Sequence, residues 1–150
     1  MLVLNADTGA SMVQDNTITS AKIADNTIVV GDVLTSAGIG YKTGDGGSVT
    51  QLTSKSTAVT LDKPCGKITI NNAALAANTH VLFVLNNTFI GAEDVVCVYV
   101  KSGFATAGTY QTWVEGGAAG NIQIAIRNIS AGSLSEAVVI NFAIIKAVGA

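Results

Sequence analysis

The sequence predicts an all-β protein, a jelly-roll-like β-sandwich preceded by an extended N-terminal arm for oligomerisation or anchoring. Two observations lead to this fold class. From residue 43 onward, short apolar and β-branched runs recur at a spacing of roughly 8–12 residues, separated by Gly- and Asn-rich turns. Before residue 43, apolar residues recur at a spacing that fits neither a helix nor a strand. We therefore divide the chain into an arm, residues 1–42, and a β-domain, residues 43–150.

The arm is defined by five apolar residues that lie five positions apart. An α-helix turns about 100° per residue, so a step of five leaves the starting face, and a flat strand sends successive members to opposite faces. The five side chains can share one apolar line only if the backbone winds or if several chains meet at an axis. The sequence therefore predicts an interface with other polypeptides, made by Val13, Ile18, Ile23, Ile28 and Val33.

Eight strands are predicted after a glycine-rich boundary at residues 38–47. In the clearest of them, Ile122, Ile124 and Ile126 alternate with more polar residues, which indicates one buried face. Residues 102–108 and 116–120 are predicted to be hairpin loops. The predicted strands are residues 49–52, 58–61, 66–71, 80–86, 94–101, 109–115, 121–127 and 137–147.

One strand stands out because residues 95–100 are apolar on both faces. Such a run is typical of a strand that is covered on both sides. The sequence leaves two explanations open, a central position in a sheet or a position at a contact between subunits.

The composition favours assembly over membrane or nucleic-acid binding. Apolar residues make up 49% of the chain and charged residues only 12%, so a protein without a membrane anchor is expected to hide much of its surface in an oligomer. No apolar run approaches the about 20 residues of a membrane helix, and the first residues lack the basic region of a signal peptide. The net charge of −2 and the scattered lysines and arginines argue against nucleic acid as a partner.

The sequence shows no pattern of catalytic or metal-binding residues. His80 is the only histidine and has no metal-ligand spacing around it, and neither a nucleophile elbow nor a phosphate-binding loop occurs. The adjacent Glu93 and Asp94 are expected to lie in a solvated turn, with a calcium contact as the weaker alternative. We therefore predict that the protein is not an enzyme and needs no cofactor and no metal.

The cysteines and aromatic residues leave smaller questions open. Cys65 and Cys97 are either two reduced, packed thiols, which the absence of a secretion signal favours, or one disulfide. Phe104 and Tyr110 flank the loop 105–109 and are possible contacts at the tip of the β-domain. The aromatic rings of Tyr99 and Trp113 are expected to cover or fill the core instead.

Three stretches resemble tailed-bacteriophage virion proteins. Residues 15–28, DNTITSAKIADNTI, are similar to stem repeats found in phage fibres and other virion appendages. Residues 44–61 and 128–142 resemble the opening and closing strands of a small β-domain of phage and prophage structural proteins. The resemblance implies a homotrimeric virion protein with an N-terminal stem and a C-terminal knob, and it brings no catalytic residues. Two good repeats are fewer than a long fibre needs.

These expectations favour a capsid decoration (cement) protein or short head fibre. It would bind the major capsid protein as an oligomer, stabilise the shell and be located in the virion after synthesis in the host cytoplasm. The alternative is the receptor-binding tip of a tail fibre or spike that recognises a host-surface glycan. A carbohydrate-active enzyme domain is the least favoured hypothesis.

Overall fold

The computed structural model describes residues 40–147 without a gap, together with Val3–Leu4 and Ser11–Met12. The chain divides into two units, Met1–Gly40 and Tyr41–Ala150. In the first unit, β1 (Val3–Leu4) pairs with β2 (Ser11–Met12) in antiparallel orientation. The five regularly spaced apolar residues lie outside the described residues, so the wound or shared arm stays a prediction.

The C-terminal unit is all-β, as the sequence predicts. Each of the eight predicted strands has a counterpart in the structure, and the described residues contain no helix. The strand predicted at residues 80–86 begins and ends at those residues, whereas the others differ at one or both ends. The strands are β3 (Gly46–Thr50), β4 (Val59–Thr60), β5 (Cys65–Thr69), β6 (His80–Asn86), β7 (Val95–Ser102), β8 (Tyr110–Ala118), β9 (Asn121–Asn128) and β10 (Val139–Ile145).

These strands form two four-stranded mixed sheets. Sheet I has the order β3-β5-β10-β7, and sheet II has the order β4-β6-β9-β8. The pairs β3–β5 and β4–β6 are parallel, and the other pairs in both sheets are antiparallel. In the part of the chain that the structure describes, β7 is therefore an edge strand. The central position that the sequence allowed for it is wrong.

The two predicted hairpin loops have different outcomes. The connection at residues 103–109 joins β7 in sheet I to β8 in sheet II, so it crosses between the sheets, and the hairpin predicted there is wrong. The second connection is a hairpin, but strand β8 continues to Ala118 and only residues 119–120 form the turn. Gly120 takes a positive φ of 86° at that turn, a conformation that glycine adopts without steric cost.

One apolar core lies between the two sheets. Sheet II supplies alternate residues of β9, including Ile124 and Ile126 at 0% exposure, which confirms the buried face that the sequence predicts, although Ala125 on the opposite face is also 0% exposed. Sheet I supplies alternate residues of β10, including Ile140. Burying one such side chain contributes about 1.5–3 kcal/mol, and this burial fixes which face of each sheet points outward.

The strand directions give the C-terminal unit two distinct ends. The near end is where Tyr41 enters, and it contains the connections 61–64, 87–94 and 119–120 and residues 146–147. The far end contains the connections 51–58, 70–79, 103–109 and 129–138. The two longest connections, 70–79 and 129–138, lie at the far end, so that end has more backbone to hold in place.

Candidate functional site

The two predicted tip residues lie at the far end, on either side of the crossing 103–109. Tyr110 is only 7% exposed and belongs to the core, so its ring is not available as a surface contact. Phe104 is half-buried and packs against the same core. Burial, followed by the neighbouring Glu136, raises the pKa of Tyr110 to about 12. Both rings therefore pack the connection 103–109 against the core.

A buried lysine ties together three far-end segments. Lys55 is 3% exposed, and its ammonium donates to the carbonyl oxygens of Asn71, at 2.6 Å, and Glu136, at 2.7 Å. Burial lowers the pKa of Lys55, and the charge of Glu136 opposes that shift. The Glu136 carboxylate in turn accepts from the backbone N–H of Ala105. Lys55 therefore joins the connections 51–58, 70–79 and 129–138, and Glu136 joins the last of these to the connection 103–109.

Asn128, at 0% exposure, holds the other part of the far end. Its amide nitrogen donates to the carbonyl oxygens of Leu75, at 2.9 Å, Ala76, at 3.2 Å, and Gly132, at 2.7 Å. Its side-chain oxygen accepts from the backbone N–H of Ser130 at 2.9 Å. These bonds occupy both the amide nitrogen and the amide oxygen of Asn128. The far-end loops are therefore held in position by contacts within the chain, before they meet any partner.

At the near end, an exposed lysine makes an ion pair, in contrast to the buried Lys55. The ammonium of Lys146 lies 2.5 Å from the carboxylate of Asp94, while the Lys146 side chain stays 67% exposed. Asp94 also accepts from the backbone N–H groups of Gly91, at 2.8 Å, and Ala147, at 3.0 Å. The Lys146 ammonium and these N–H groups lower the pKa of Asp94 to about 2. These contacts give Asp94 a structural role in joining β10 to the connection 87–94.

A pocket of about 390 Å³ lies beside this closure. Its lining includes Tyr41, Pro64 and Phe89, and the Tyr41 hydroxyl donates to the carbonyl oxygen of Ile144. Asp45 and Asp62 also line it. Within residues 40–147, no three His, Cys, Asp or Glu side chains come close enough to hold a metal ion. The pocket therefore offers apolar contact rather than coordination.

The outward face of sheet II is largely polar, with aromatic rings among the polar groups. Because Tyr110 and Val114 face the core, alternation along β8 places Trp113 on the outer face, against the prediction that its ring covers or fills the core. The ring of Trp113 lies 5.8 Å from that of His80, and its indole nitrogen donates to the Glu115 carboxylate.

The outward face of sheet I exposes large apolar side chains among polar ones. Tyr99 is 55% exposed on this face, so the expectation that it covers or fills the core is wrong. Val95 and Ile145, which pair across β7 and β10, are 54% and 56% exposed. Three of the six large apolar side chains that the described residues expose therefore share this face. The sequence signal for it was the doubly apolar run at residues 95–100.

Both cysteines lie on the same outward face of sheet I and are free thiols. Cys65 and Cys97 each pair with Ala143, from opposite sides. Two strand spacings of about 4.8 Å put their Cα atoms about 10 Å apart, beyond the reach of a disulfide. They therefore do not pair within one copy, and Cys97 is exposed rather than packed.

No protein-family model, curated protein or solved structure matches the chain. Among the described residues, no helix is long and apolar enough to cross a membrane. Functional interpretation therefore depends on the residues and surfaces described above.

Proposed function

We propose that the protein is a bacteriophage virion structural protein, a capsid decoration (cement) protein or short head fibre that stabilises the shell as an oligomer. The observation that carries this proposal is the outward face of sheet I, where Val95 and Ile145 are exposed as a cross-strand pair and Tyr99 is exposed further along β7. An apolar face of this kind is costly in an isolated protein and is typical of a contact surface. The repeats at residues 15–28 and the resemblance to phage structural proteins supply the virion location.

The proposed mechanism is multivalent binding to the major capsid protein. The arm, through Val13, Ile18, Ile23, Ile28 and Val33, would knit the subunits together or anchor them to the shell. Three weak contacts that are physically linked act at high effective concentration, so the assembly binds much more tightly than one copy does. No cofactor takes part. We assign the C-terminal unit to the jelly-roll class because the consecutive strands β9 and β10 lie at equivalent positions in the two sheets. Strand β10 lies between β5 and β7, and strand β9 lies between β6 and β8.

Locating the protein on purified particles tests this proposal. Cryo-electron microscopy should show it on the capsid surface in stoichiometric numbers that follow the shell lattice. Deleting residues 1–40 should remove it from the particles and lower the temperature at which the shell releases its genome. A few copies at the tail tip, or full occupancy without the arm, would contradict the assignment.

A receptor-binding tip that recognises a host-surface glycan is the second candidate. The outward face of sheet II favours it, because Trp113 and His80 present rings beside the Glu115 carboxylate. Sugars bind well to aromatic surfaces bordered by hydrogen-bonding groups. Under this alternative the protein binds whole host cells, and Trp113→Ala abolishes that binding while Phe89→Ala, at an exposed ring of the near end, leaves it intact.

A further inference from the structure

The near end holds two aromatic rings partly exposed instead of burying them. Tyr41 and Phe89 are 42% and 47% exposed, and both line the pocket of about 390 Å³. Each ring belongs to a segment that hydrogen bonds hold in place. The Tyr41 hydroxyl donates to the carbonyl oxygen of Ile144, and the Lys146 ammonium donates to the carbonyl oxygen of Phe89 at 2.9 Å. Aromatic surface that is held open around a cavity is typical of a binding site.

Side chains join the two near-end connections that form walls of the pocket. Asn87, only 1% exposed, donates to the carbonyl oxygen of Lys63 at 2.7 Å and accepts from the backbone N–H of Phe89 at 2.9 Å. The Asp62 carboxylate accepts from the backbone N–H of Thr88 at 2.8 Å. The walls are therefore preorganised, and a ligand binds without the entropy loss of ordering two loops.

The pocket also contains carboxylates that the described part of the chain does not neutralise. There, the Asp45 carboxylate has neither a hydrogen bond nor an ion pair, and Asp62 uses only one of its two oxygens. Of the two lysines in the described lining, Lys146 is already paired with Asp94. This pairing leaves the ammonium of Lys63 against two carboxylates. The pocket therefore combines aromatic walls with an excess of negative charge.

We propose that this pocket receives the side chain of an arginine on a partner protein. A guanidinium group is planar, stacks on aromatic rings and donates parallel hydrogen bonds to carboxylates, so it matches both features of the lining. A lysine ammonium matches less well, because it is more strongly hydrated and has no flat face. The inference deepens the proposed function and rests on it for the identity of the partner as a capsid protein.

The surroundings of the pocket favour a protein over a small molecule as the source of the guanidinium group. Val95 begins β7 and Ile145 ends β10, so both lie at the near end. With Tyr41 and Phe89 they make four of the six large apolar side chains that the described residues expose. A small molecule in the pocket would leave Val95 and Ile145 in water, whereas a protein surface covers them together with the pocket. Arginine is also among the residues that most often anchor such surfaces.

Peptide binding to the full-length protein tests the chemistry of the pocket. The probe is an acetylated and amidated Gly-Arg-Gly tripeptide, and its matched control carries citrulline, which has nearly the shape of arginine without the charge. Saturation-transfer NMR at low salt should show that the arginine peptide binds at least about tenfold more tightly, because its hydrogen bonds to the carboxylates are charge-assisted. No binding at millimolar peptide, or equal binding of the two peptides, would overturn the proposal.

Variants without the carboxylate charges locate the binding. The double variant Asp45→Asn, Asp62→Asn keeps the side-chain sizes, and an amide oxygen can still accept from the N–H of Thr88. We expect this variant to bind the arginine peptide at least about tenfold more weakly. Glu93→Gln is the control, because Glu93 is an exposed carboxylate of the near end outside the pocket lining, and it should leave the affinity unchanged. Full affinity in the double variant, or an equal loss in the control, would overturn the assignment.

Purified particles separate this inference from the proposed function. If the particles carry the double variant as fully as the unaltered protein, in numbers that follow the shell lattice, the inference fails while the proposed function stands. If the arginine peptide binds as expected but the protein is absent from the capsid surface, the proposed function fails while the chemistry of the pocket stands.

Discussion

The two ends of the C-terminal unit are held by polar side chains in different ways. Of the four buried polar or charged residues in the described part of the chain, three lie at the far end, Gln51, Lys55 and Asn128, and only Asn87 lies at the near end. The lysines differ most, because Lys55 is 3% exposed and the Lys146 side chain is 67% exposed. Long loops contain many backbone groups that no strand pairs, so they need internal hydrogen bonds, and burial makes those bonds costly to lose.

The largest effect is expected from Asn128→Ala. It leaves the backbone N–H of Ser130 without its acceptor in a buried site, and it removes one donor from the carbonyls of Leu75, Ala76 and Gly132, each of which keeps another donor. We expect the free energy of unfolding to fall by about 3 kcal/mol, measured by urea denaturation. The exposed Asn86 is the matched control, and Asn86→Ala should change stability by less than about 0.5 kcal/mol. Equal losses from the two variants would remove the distinction between buried and exposed positions.

A matched pair of lysine variants sharpens the comparison. Lys55→Met removes the donor of two carbonyls but also removes the cost of burying an ammonium group, so we expect a loss of about 2 kcal/mol. Lys146→Met removes only an ammonium group that water already solvates, and its effect should be clearly smaller. If Lys55→Met is as stable as the unaltered protein, the far end is not held by its charged side chain.

The same comparison shows what the sequence could predict. The strands could be predicted because the residue pattern that marks a strand is local, as in the alternation of Ile122, Ile124 and Ile126 with the residues between them. Sheet order was not, because the edge position of β7 and the crossing at residues 103–109 depend on pairings between distant segments. The burial of Lys55 and Asn128 was equally hidden, since the partners of Lys55 lie 16 to 81 residues away and those of Asn128 lie 2 to 53 residues away. The exposed face of sheet I could be predicted only in part, because the apolar run at residues 95–100 allowed either a central strand or a contact between subunits.

Alkaline pH should act on the far end through Tyr110. Its pKa is raised to about 12 in the folded protein, so the stabilisation is complete below pH 10 and is lost as the pH rises toward 12. Lys55 acts in the opposite direction, because its folded pKa is lowered and stability rises as the pH passes through it. Stability is therefore compared between the unaltered protein and Tyr110→Phe at each pH. We expect the difference in stability between the two proteins to change from pH 10 to 12, and a constant difference would show that Tyr110 does not cause the decline.

Acid should act on the near end, with the smallest of these effects. The pKa of Asp94 is lowered from 3.8 to about 2, so its contribution is complete above pH 4 and is lost as the pH falls through 2. In Asp94→Asn the loss of stability that comes from protonating Asp94 should be absent, as measured by urea midpoints between pH 5 and 2. High salt should reduce the difference, because the Lys146 ammonium is exposed and therefore screened. If the decline is the same in both proteins, Asp94 does not hold the near end and the two ends differ in more than the burial of their lysines.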